Sequence, residues 1–330
     1  MHGCSIDEEN PFTMLHDMGT LTGNGTAISG WSKNKIFGVV GSTDHHGGYP
    51  GSFGQGRMAV ISKNNSKKEL WDAFKKRRVY AATGDKINIF FTINKMHMGS
   101  KINKCKNRSI NIKVSSISAI ESVILFKNDK KYKVFNIKSK KEIKKIIKGS
   151  LEVAWGWGKK YSTIKWNGEV NLEKGIINDY QTCFRGIPKL EPNQKHYLKN
   201  NGLLNELKEI EGRIHFKSIT TGNYSLKDPA YQSFKIHISS PLDDNLKISV
   251  NRKEYTVGIK DLVSNGSKVF YMKGWLSELI KIGPFNHKDE LYFSKKIIDD
   301  KPIQKTDRYR VEVIQNNGER AWSSPIWVSN

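Results

Sequence analysis

The stretch that decides the fold is Ile36-Phe-Gly-Val-Val-Gly-Ser-Thr-Asp-His-His46. Its apolar first half predicts a buried strand of the kind found in parallel sheets. The stretch ends in one carboxylate and two imidazoles, Asp44, His45 and His46, and a glycine-rich loop follows. Because ligand sites in α/β folds lie at the carboxyl ends of strands, Asp44 and His46 are candidate metal ligands. The alternative is a set of polar residues on a surface loop.

Four segments of the chain resemble a known family. They are the block from Gly38 to Ser100, the opening Met1-His-Gly-Cys-Ser5, the landmark Ala154-Trp-Gly-Trp-Gly158 and the ending from Tyr309 to Val328. Together they are similar to the polymerase and histidinol phosphatase (PHP) superfamily of metallohydrolases. The branch they resemble is a poorly characterised one, labelled a domain of unknown function.

This resemblance implies a metal site and a reaction. His2, Asp44 and His46 would bind a divalent metal, either zinc, manganese or iron. A metal-bound water would attack a small-molecule phosphoester or another anionic substrate. His45 and Arg57 are candidate substrate contacts. The alternatives are an exposed side chain for His45 and a structural salt bridge for Arg57.

One feature departs from the superfamily pattern. Such enzymes begin with an H-x-H motif, whereas a single residue precedes His2. We therefore expect the chain to be the C-terminal portion of a metal-dependent hydrolase, acting on phosphoesters, that lacks much of its ligand set and is inactive alone. The alternative belongs to another class of protein, a non-catalytic β-sandwich binding module.

A helix is predicted to begin at Ser66. Ser66-Lys-Lys-Glu69 is a capping box, in which the serine hydroxyl and the glutamate carboxylate satisfy free N–H groups of the first turn. Leu70, Trp71 and Phe74 follow at helical spacing and predict a buried apolar stripe. This segment would supply one β/α step of a barrel.

Short alternating strands dominate the rest of the chain. Lys86-Ile-Asn-Ile-Phe-Phe-Thr-Ile93 and Tyr309-Arg-Val-Glu-Val313 are examples, and they predict an antiparallel sandwich. Lys138 to Lys148 is an exception, because its isoleucines have helical spacing and predict a short amphipathic helix.

The predicted fold class is therefore α/β plus all-β. Residues 1–85 would form the closing β/α part of a PHP-like distorted barrel. Residues 86–330 would form an antiparallel β-sandwich-like domain.

The chain is strongly basic, with a formal net charge of +23 over 330 residues. Ten of its 55 basic residues are arginines and 45 are lysines. Readers of nucleic-acid sequence rely on arginine for bidentate contacts, so we expect no specific nucleic-acid partner. A nucleic-acid site would need a contiguous basic stripe with stacking aromatic rings, whereas a compositional lysine excess is scattered over the surface.

Other classes are disfavoured by what the sequence lacks. Three cysteines, at positions 4, 105 and 183, are too few and too far apart for a disulfide framework or a thiolate zinc cluster. No apolar run approaches the ~20 residues that span a bilayer, so we expect no membrane partner.

Overall fold

The computed structural model describes residues 26–43, 51–54, 56–138, 145–158, 163–185, 205–221, 231–274 and 277–330. The chain divides into two compact units. Unit 1 comprises Met1–Asp44, Phe53–Lys138 and Glu290–Asn330, and unit 2 comprises His45–Ser52 and Ser139–Asp289. Residues on both sides of position 85 therefore belong to unit 1.

Most of the described residues form strands. In chain order the first eight are β1 Arg57–Val60, β2 Val79–Ala82, β3 Asn88–Ile93, β4 Met96–His97, β5 Lys101–Ile102, β6 Arg108–Ser115, β7 Ile120–Lys127 and β8 Lys130–Asn136. The next eleven are β9 Ile146–Gly156, β10 Thr163–Leu172, β11 Ile176–Cys183, β12 Glu206–Ile210, β13 Arg213–Thr221, β14 Tyr231–Pro241, β15 Asn245–Val250, β16 Lys253–Gly258, β17 Lys268–Tyr271, β18 Leu279–Ile282 and β19 Asn286–His287. The last four are β20 Tyr292–Asp299, β21 Thr306–Gln315, β22 Arg320–Ser323 and β23 Ile326–Ser329.

Helices are few in the described part of the chain. They are α1 Ala27–Ser32, α2 Lys67–Lys75, α3 Ile259–Asn265 and a single 3-10 turn at Lys288–Glu290. Among the residues covered by the structure, no helix has the length and apolar character needed to cross a membrane.

The described part of unit 1 contains two sheets that share one apolar core. The larger sheet has the order β1-β2-β22-β21-β23-β5, with β7 pairing to β21 and β8 to β7. The smaller sheet has the order β20-β6-β3-β4. Because side chains alternate between the faces of a strand, β6 sends Ile110, Ile112 and Val114 inward. There they belong to the same core as Val311 and Val313 of β21.

A buried cluster of charges connects the two sheets of unit 1. Arg108 on β6 lies 2.9 Å from Asp307 on β21 (Nη1 to Oδ2), and Lys127 on β7 lies 2.7 Å from Asp299 on β20 (Nζ to Oδ2). The Tyr309 hydroxyl accepts a hydrogen bond from Arg108 at 2.7 Å and donates one to Asp299 at 2.6 Å. All five side chains are almost completely buried. Two cations face two carboxylates, so the cluster satisfies the condition under which buried charges are tolerated.

Unit 2, where the structure describes it, also contains two sheets around one core. Their orders are β12-β13-β10-β15-β16 and β11-β14-β9-β18-β17. Trp155 of β9 is fully buried and stacks on Phe216 of β13 with ring centroids 4.3 Å apart. Its indole N–H donates to the Ser218 hydroxyl at 2.6 Å, which satisfies the polar atom that burial would otherwise leave without a partner.

The predicted fold class is wrong. Among the described residues, the sheets are antiparallel except for the short β23–β5 pair. Residues 57–82 contribute β1 and β2 to an antiparallel sheet with β22. No β/α barrel closes within the described residues. The segment 36–43 forms no regular strand, and Val40 is 57% exposed where a buried strand was expected. The coarser expectation of a β-rich chain is confirmed.

The short helix predicted for Lys138 to Lys148 is also wrong for those of its residues that the structure describes. Ile146 begins β9, so Ile146, Ile147 and Lys148 are extended, while residues 139–144 lie outside the described part of the chain. Ile147 is buried in the core of unit 2 and Ile146 is exposed, which is the alternation of a strand.

Removal of one carboxylate from the buried cluster should destabilise the protein. We expect Asp299→Asn to lower the free energy of unfolding by about 3 kcal/mol or more, because Lys127 would lose its nearest carboxylate in a buried site. Urea unfolding followed by tryptophan fluorescence measures this change. Asp243→Asn is the matched control, since Asp243 pairs with Lys174 at 2.7 Å on the surface and should have no measurable effect. Equal effects of the two variants would contradict the assigned role of the cluster.

The same carboxylate should make stability fall in acid. Burial raises the pKa of Asp299, but hydrogen bonds from Lys127 and Tyr309 outweigh burial and hold the pKa below its ordinary value of 3.8. A lowered folded-state pKa stabilises the protein fully above the unfolded-state value, and this contribution is lost as pH falls through the folded-state value. Below about pH 4, urea midpoints should therefore fall more steeply for the wild type than for Asp299→Asn. Parallel profiles would rule out this linkage.

Candidate binding groove

Four of the five site residues predicted from the sequence, His2, Asp44, His45 and His46, lie outside the described residues. Arg57 is described and begins β1. Its guanidinium lies over the Phe53 ring, 5.2 Å from the centroid. In the part of the chain that the structure covers, no three His, Cys, Asp or Glu side chains are grouped as a metal site requires. The metal site and its zinc, manganese or iron ion stay predictions.

The segment from Ile36 to Thr43 is fixed on the outer side of the larger sheet of unit 1. Trp31 of α1 is buried and stacks on Phe37 with centroids 5.5 Å apart. The Val39 N–H donates to the Ser324 hydroxyl at 3.0 Å, and this hydroxyl donates to the Val79 carbonyl at 2.5 Å. The segment is thereby bound to β2 and to the loop after β22.

A close backbone approach explains the glycine at position 41. A Cβ atom there would lie 2.6 Å from the carbonyl oxygen of Arg57. Any larger residue would push the segment away from β1, so the glycine permits the contact that brings Val40 beside this strand.

An open groove lies between this segment and α2. It has a volume of about 300 Å³ and is lined by Gly38, Val40, Met58, Phe74, Arg77 and Val79. Most of the lining is apolar and accessible to solvent. The exposed fractions are 57% for Val40, 42% for Met58 and 36% for Phe74.

Helix α2 presents aromatic rings to solvent instead of to the core. The predicted N-cap is confirmed, since the Ser66 hydroxyl accepts from the Glu69 N–H at 3.4 Å. The predicted apolar stripe is wrong, because α2 buries Ala73 and leaves Trp71 59% exposed. Trp71 contacts Phe74 edge to face with centroids 6.4 Å apart. This pair extends the apolar surface of the groove along the helix.

Arg77 forms the polar wall of the groove. It follows α2 with a left-handed backbone (φ 56°), and its Nε donates to the Gly99 carbonyl at 3.0 Å. The guanidinium lies 5.9 Å from the centroid of the Trp327 ring. Among the described residues, no carboxylate lies within ion-pair distance of Arg77, so its charge is available to a ligand.

The charges around the groove are predominantly basic. Residues 67–78 contain six basic and two acidic side chains. Asp72 is already paired with Lys76 at 2.8 Å and with Arg78. The hydrogen bond from Lys76 lowers the pKa of Asp72 below 3.8, so the carboxylate stays ionised and engaged at neutral pH. The surplus charge lies on the lysines of α2 and on Arg77.

Comparisons with known proteins give partial similarities and no function. Residues 51–111 match a family described as "Protein of unknown function (DUF3604)". An uncharacterized protein of Chlamydia trachomatis serovar D is 30% identical over 144 residues, covering 38% of this chain and 23% of the relative. An uncharacterized protein of Chlamydia muridarum is 29% identical over 143 residues with the same coverage. The chain thus spans about a quarter of the length of these curated relatives.

These findings correct the resemblance to the PHP superfamily. The matched family carries no assigned activity, and the antiparallel sheets of the same region are not those of a PHP barrel. The expectation of a domain of unknown function is confirmed at that level. The matched segment includes Met58, Phe74, Arg77 and Val79, which are four of the six groove residues.

Sequence reasoning missed the groove. The helical spacing of Trp71 and Phe74 predicted a buried stripe, whereas both rings are exposed. The available signal was the composition of residues 67–78, in which six basic side chains outnumber two acidic ones. A positive field attracts anionic partners, and aromatic residues and arginine are enriched at interfaces.

The metal prediction can be tested directly. We expect this chain to bind zinc or manganese weakly and to show negligible turnover of a generic phosphodiester, because three ligands do not hold the two metals that clamp a phosphate. Calorimetric titration and a chromogenic phosphodiester assay measure these properties. Robust metal-dependent hydrolysis that Asp44→Asn abolishes would contradict this expectation.

Proposed function

We propose that this chain is a non-catalytic β-sandwich binding module whose groove receives an acidic peptide segment with apolar side chains. The observation that carries the proposal is an apolar, solvent-exposed groove next to α2 with a surplus of positive charge around it. The alternative function drawn from the sequence was a binding module, and both sandwiches of the chain agree with it.

The apolar part of the groove favours contact with another molecule. Val40, Met58, Phe74 and Trp71 are each between 36% and 59% exposed and lie on adjoining elements. Contiguous exposed apolar surface of this kind marks interaction sites in soluble proteins. Complete burial of a fully exposed apolar side chain contributes about 1.5–3 kcal/mol, so a partner that covers one of these half-exposed side chains gains about half of that. Aromatic residues with an arginine beside them are also the residue types that dominate binding energy at interfaces.

The size and shape of the groove favour a peptide over a compact small molecule. Its volume of about 300 Å³ is at the lower limit for sites that enclose a small ligand. The apolar surface continues beyond the cavity along α2 through Trp71. A peptide can place one or two anchor side chains in the cavity and lay the next ones on this ring.

The charges indicate that the peptide is acidic. The Arg77 guanidinium lines the groove, and its Nε and Nη1 donate to the carbonyls of Gly99 and Lys75. Its Nη2 and the second N–H of Nη1 are left to bind a carboxylate of the peptide. Lys67, Lys68 and Lys75 on α2 add positive potential that speeds the approach of an anionic partner. An acidic peptide therefore gains both orientation and association rate.

The proposal is tested with two labelled peptides of the same length. One alternates glutamate with leucine and phenylalanine, and the other has lysine in place of each glutamate. Fluorescence anisotropy should show that the acidic peptide binds and the basic one does not, and the intrinsic tryptophan fluorescence should change on binding because Trp71 is covered. Phe74→Ser and Arg77→Gln should each weaken binding about tenfold, which corresponds to ~1.4 kcal/mol.

Two matched controls lie on the exposed strand β8. Val134→Ser removes an apolar side chain that is 49% exposed, and Lys131→Gln removes a lysine charge. Neither should change affinity. Thermal unfolding of all four variants checks that the fold is intact. Equal binding of both peptides, or unchanged affinity in the groove variants, would refute the proposal.

A further inference from the structure

The smaller sheet of unit 1 has one face in the core and one face turned outward. Alternation along the strands determines which residues point outward. We call these residues the outer face, and they are Asn88 and Phe90 on β3, Ser109, Asn111, Lys113 and Ser115 on β6, and Tyr292, Ser294, Lys296 and Ile298 on β20. The neighbouring Thr92 continues β3 on the same side but is buried.

Strand pairing arranges the outer face in ordered rows across the sheet. Asn88, Ser115 and Tyr292 form one row, and Phe90, Lys113 and Ser294 form the next. Asn111 and Lys296 lie in the third row, and Ser109 and Ile298 in the fourth. The two lysines are therefore diagonal neighbours on adjacent strands, about 8 Å apart at their backbones.

Two aromatic rings are accessible on this face. Tyr292 is 51% exposed and Phe90 is 39% exposed. Phe90 is held by an edge-to-face contact with His97 of β4, with centroids 5.3 Å apart. Tyr292 and Phe90 are two strands and one row apart, which is about 12 Å along the sheet. Each ring can therefore contact a different planar group of one extended ligand.

The outer face carries positive charge without negative charge. Lys113 and Lys296 are exposed, and none of the ten residues of the face is acidic. At the end of the sheet beyond the fourth row, Lys95 lies in the β3–β4 turn, Lys106 just before β6 and the exposed Asp300 just after β20.

A comparable sheet surface in unit 2 has its charges paired. On the β12–β16 sheet, Arg213 lies 2.7 Å from Glu169, and Lys247 lies 2.7 Å from Glu173. The lysines of the outer face have no such partner among the described residues. The absence of carboxylates is therefore a property of this surface and not of the whole chain.

We propose that the outer face binds single-stranded nucleic acid without sequence preference. Phe90 and Tyr292 stack on bases, and Lys113 and Lys296 contact phosphates. This combination of a basic surface and stacking rings on a sheet is how proteins hold single strands of any sequence. Asn88, Asn111 and the serines supply hydrogen bonds to base edges and sugars. The site is separate from the groove at α2, so this inference does not depend on the proposed peptide binding.

The rings distinguish this partner from other polyanions. A sulfated polysaccharide would use the lysines but has no planar group to stack on Phe90 and Tyr292. A duplex keeps its bases inside the helix, so it would also contact the lysines alone. Preference for single strands, together with dependence on both rings, is therefore the signature of the proposed site.

The experiment is an anisotropy titration of the intact chain with labelled oligothymidine and oligoadenosine of about 15 nucleotides, and with a duplex of the same length. Salt is set at about 50 mM and about 200 mM. Phe90→Leu and Tyr292→Leu should each weaken single-strand binding about fivefold or more at both salts, because stacking is lost. Lys113→Gln and Lys296→Gln should weaken binding mainly at low salt and reduce the salt slope.

Matched controls lie on other surfaces of the chain. Tyr180→Leu removes a tyrosine that is 37% exposed on β11, and Lys131→Gln removes a lysine on β8. Neither should change affinity, and unchanged thermal unfolding shows that each variant is folded.

The proposal is overturned by absence of binding at low salt, by equal affinity for duplex, or by ring variants that bind as the wild type does. If heparin binds equally well to the wild type and to the Phe90 and Tyr292 variants and displaces the oligonucleotide from each, the outer face is a general polyanion surface. That result also overturns the proposal.

Discussion

The buried charge cluster between the two sheets of unit 1 is the interaction on which the rest of that unit depends. Two cations and two carboxylates are removed from water, and the Tyr309 hydroxyl joins the two pairs by contacting Arg108 and Asp299. Because an unpaired buried charge is strongly unfavourable, β6, β7, β20 and β21 are constrained to one mutual register. An apolar core alone would tolerate small shifts of one sheet on the other.

Both proposed sites inherit their geometry from this arrangement. The outer face consists of the solvent-facing residues of β3, β6 and β20, so the inward anchoring of Arg108 and Asp299 fixes the rows that hold Lys113 and Lys296. On the larger sheet, β21 pairs with β22, and β22 pairs with β2. The Ser324 hydroxyl that follows β22 then positions the segment 36–43 that forms one wall of the groove.

The two sites also differ in the physical basis of recognition. The groove combines apolar side chains with one guanidinium, so shape and desolvation dominate and a charged partner group gives orientation. The outer face carries exposed rings, lysines and hydrogen-bonding side chains in successive rows, which suits an extended and repetitive ligand. The paired charges on the five-stranded sheet of unit 2 show what a sheet surface of this chain is like without such a role.

The sequence by itself determined the local features that depend on neighbouring residues. The N-cap at Ser66 and the β-rich character of the chain follow from short-range hydrogen bonding and from alternation along each strand. Only the tertiary structure decided which faces those elements bury. The spacing of Trp71 and Phe74 is the same whether the pair is buried or exposed, and packing of α2 through Ala73 exposes both rings. Likewise, Ile36 to Val40 has the composition of a buried strand, but no neighbouring strand pairs with it among the described residues, and the segment lies extended over the sheet. Burial depends on contacts between residues far apart in sequence, such as Val39 with Ser324 and Arg108 with Asp307, and a single sequence does not specify those contacts.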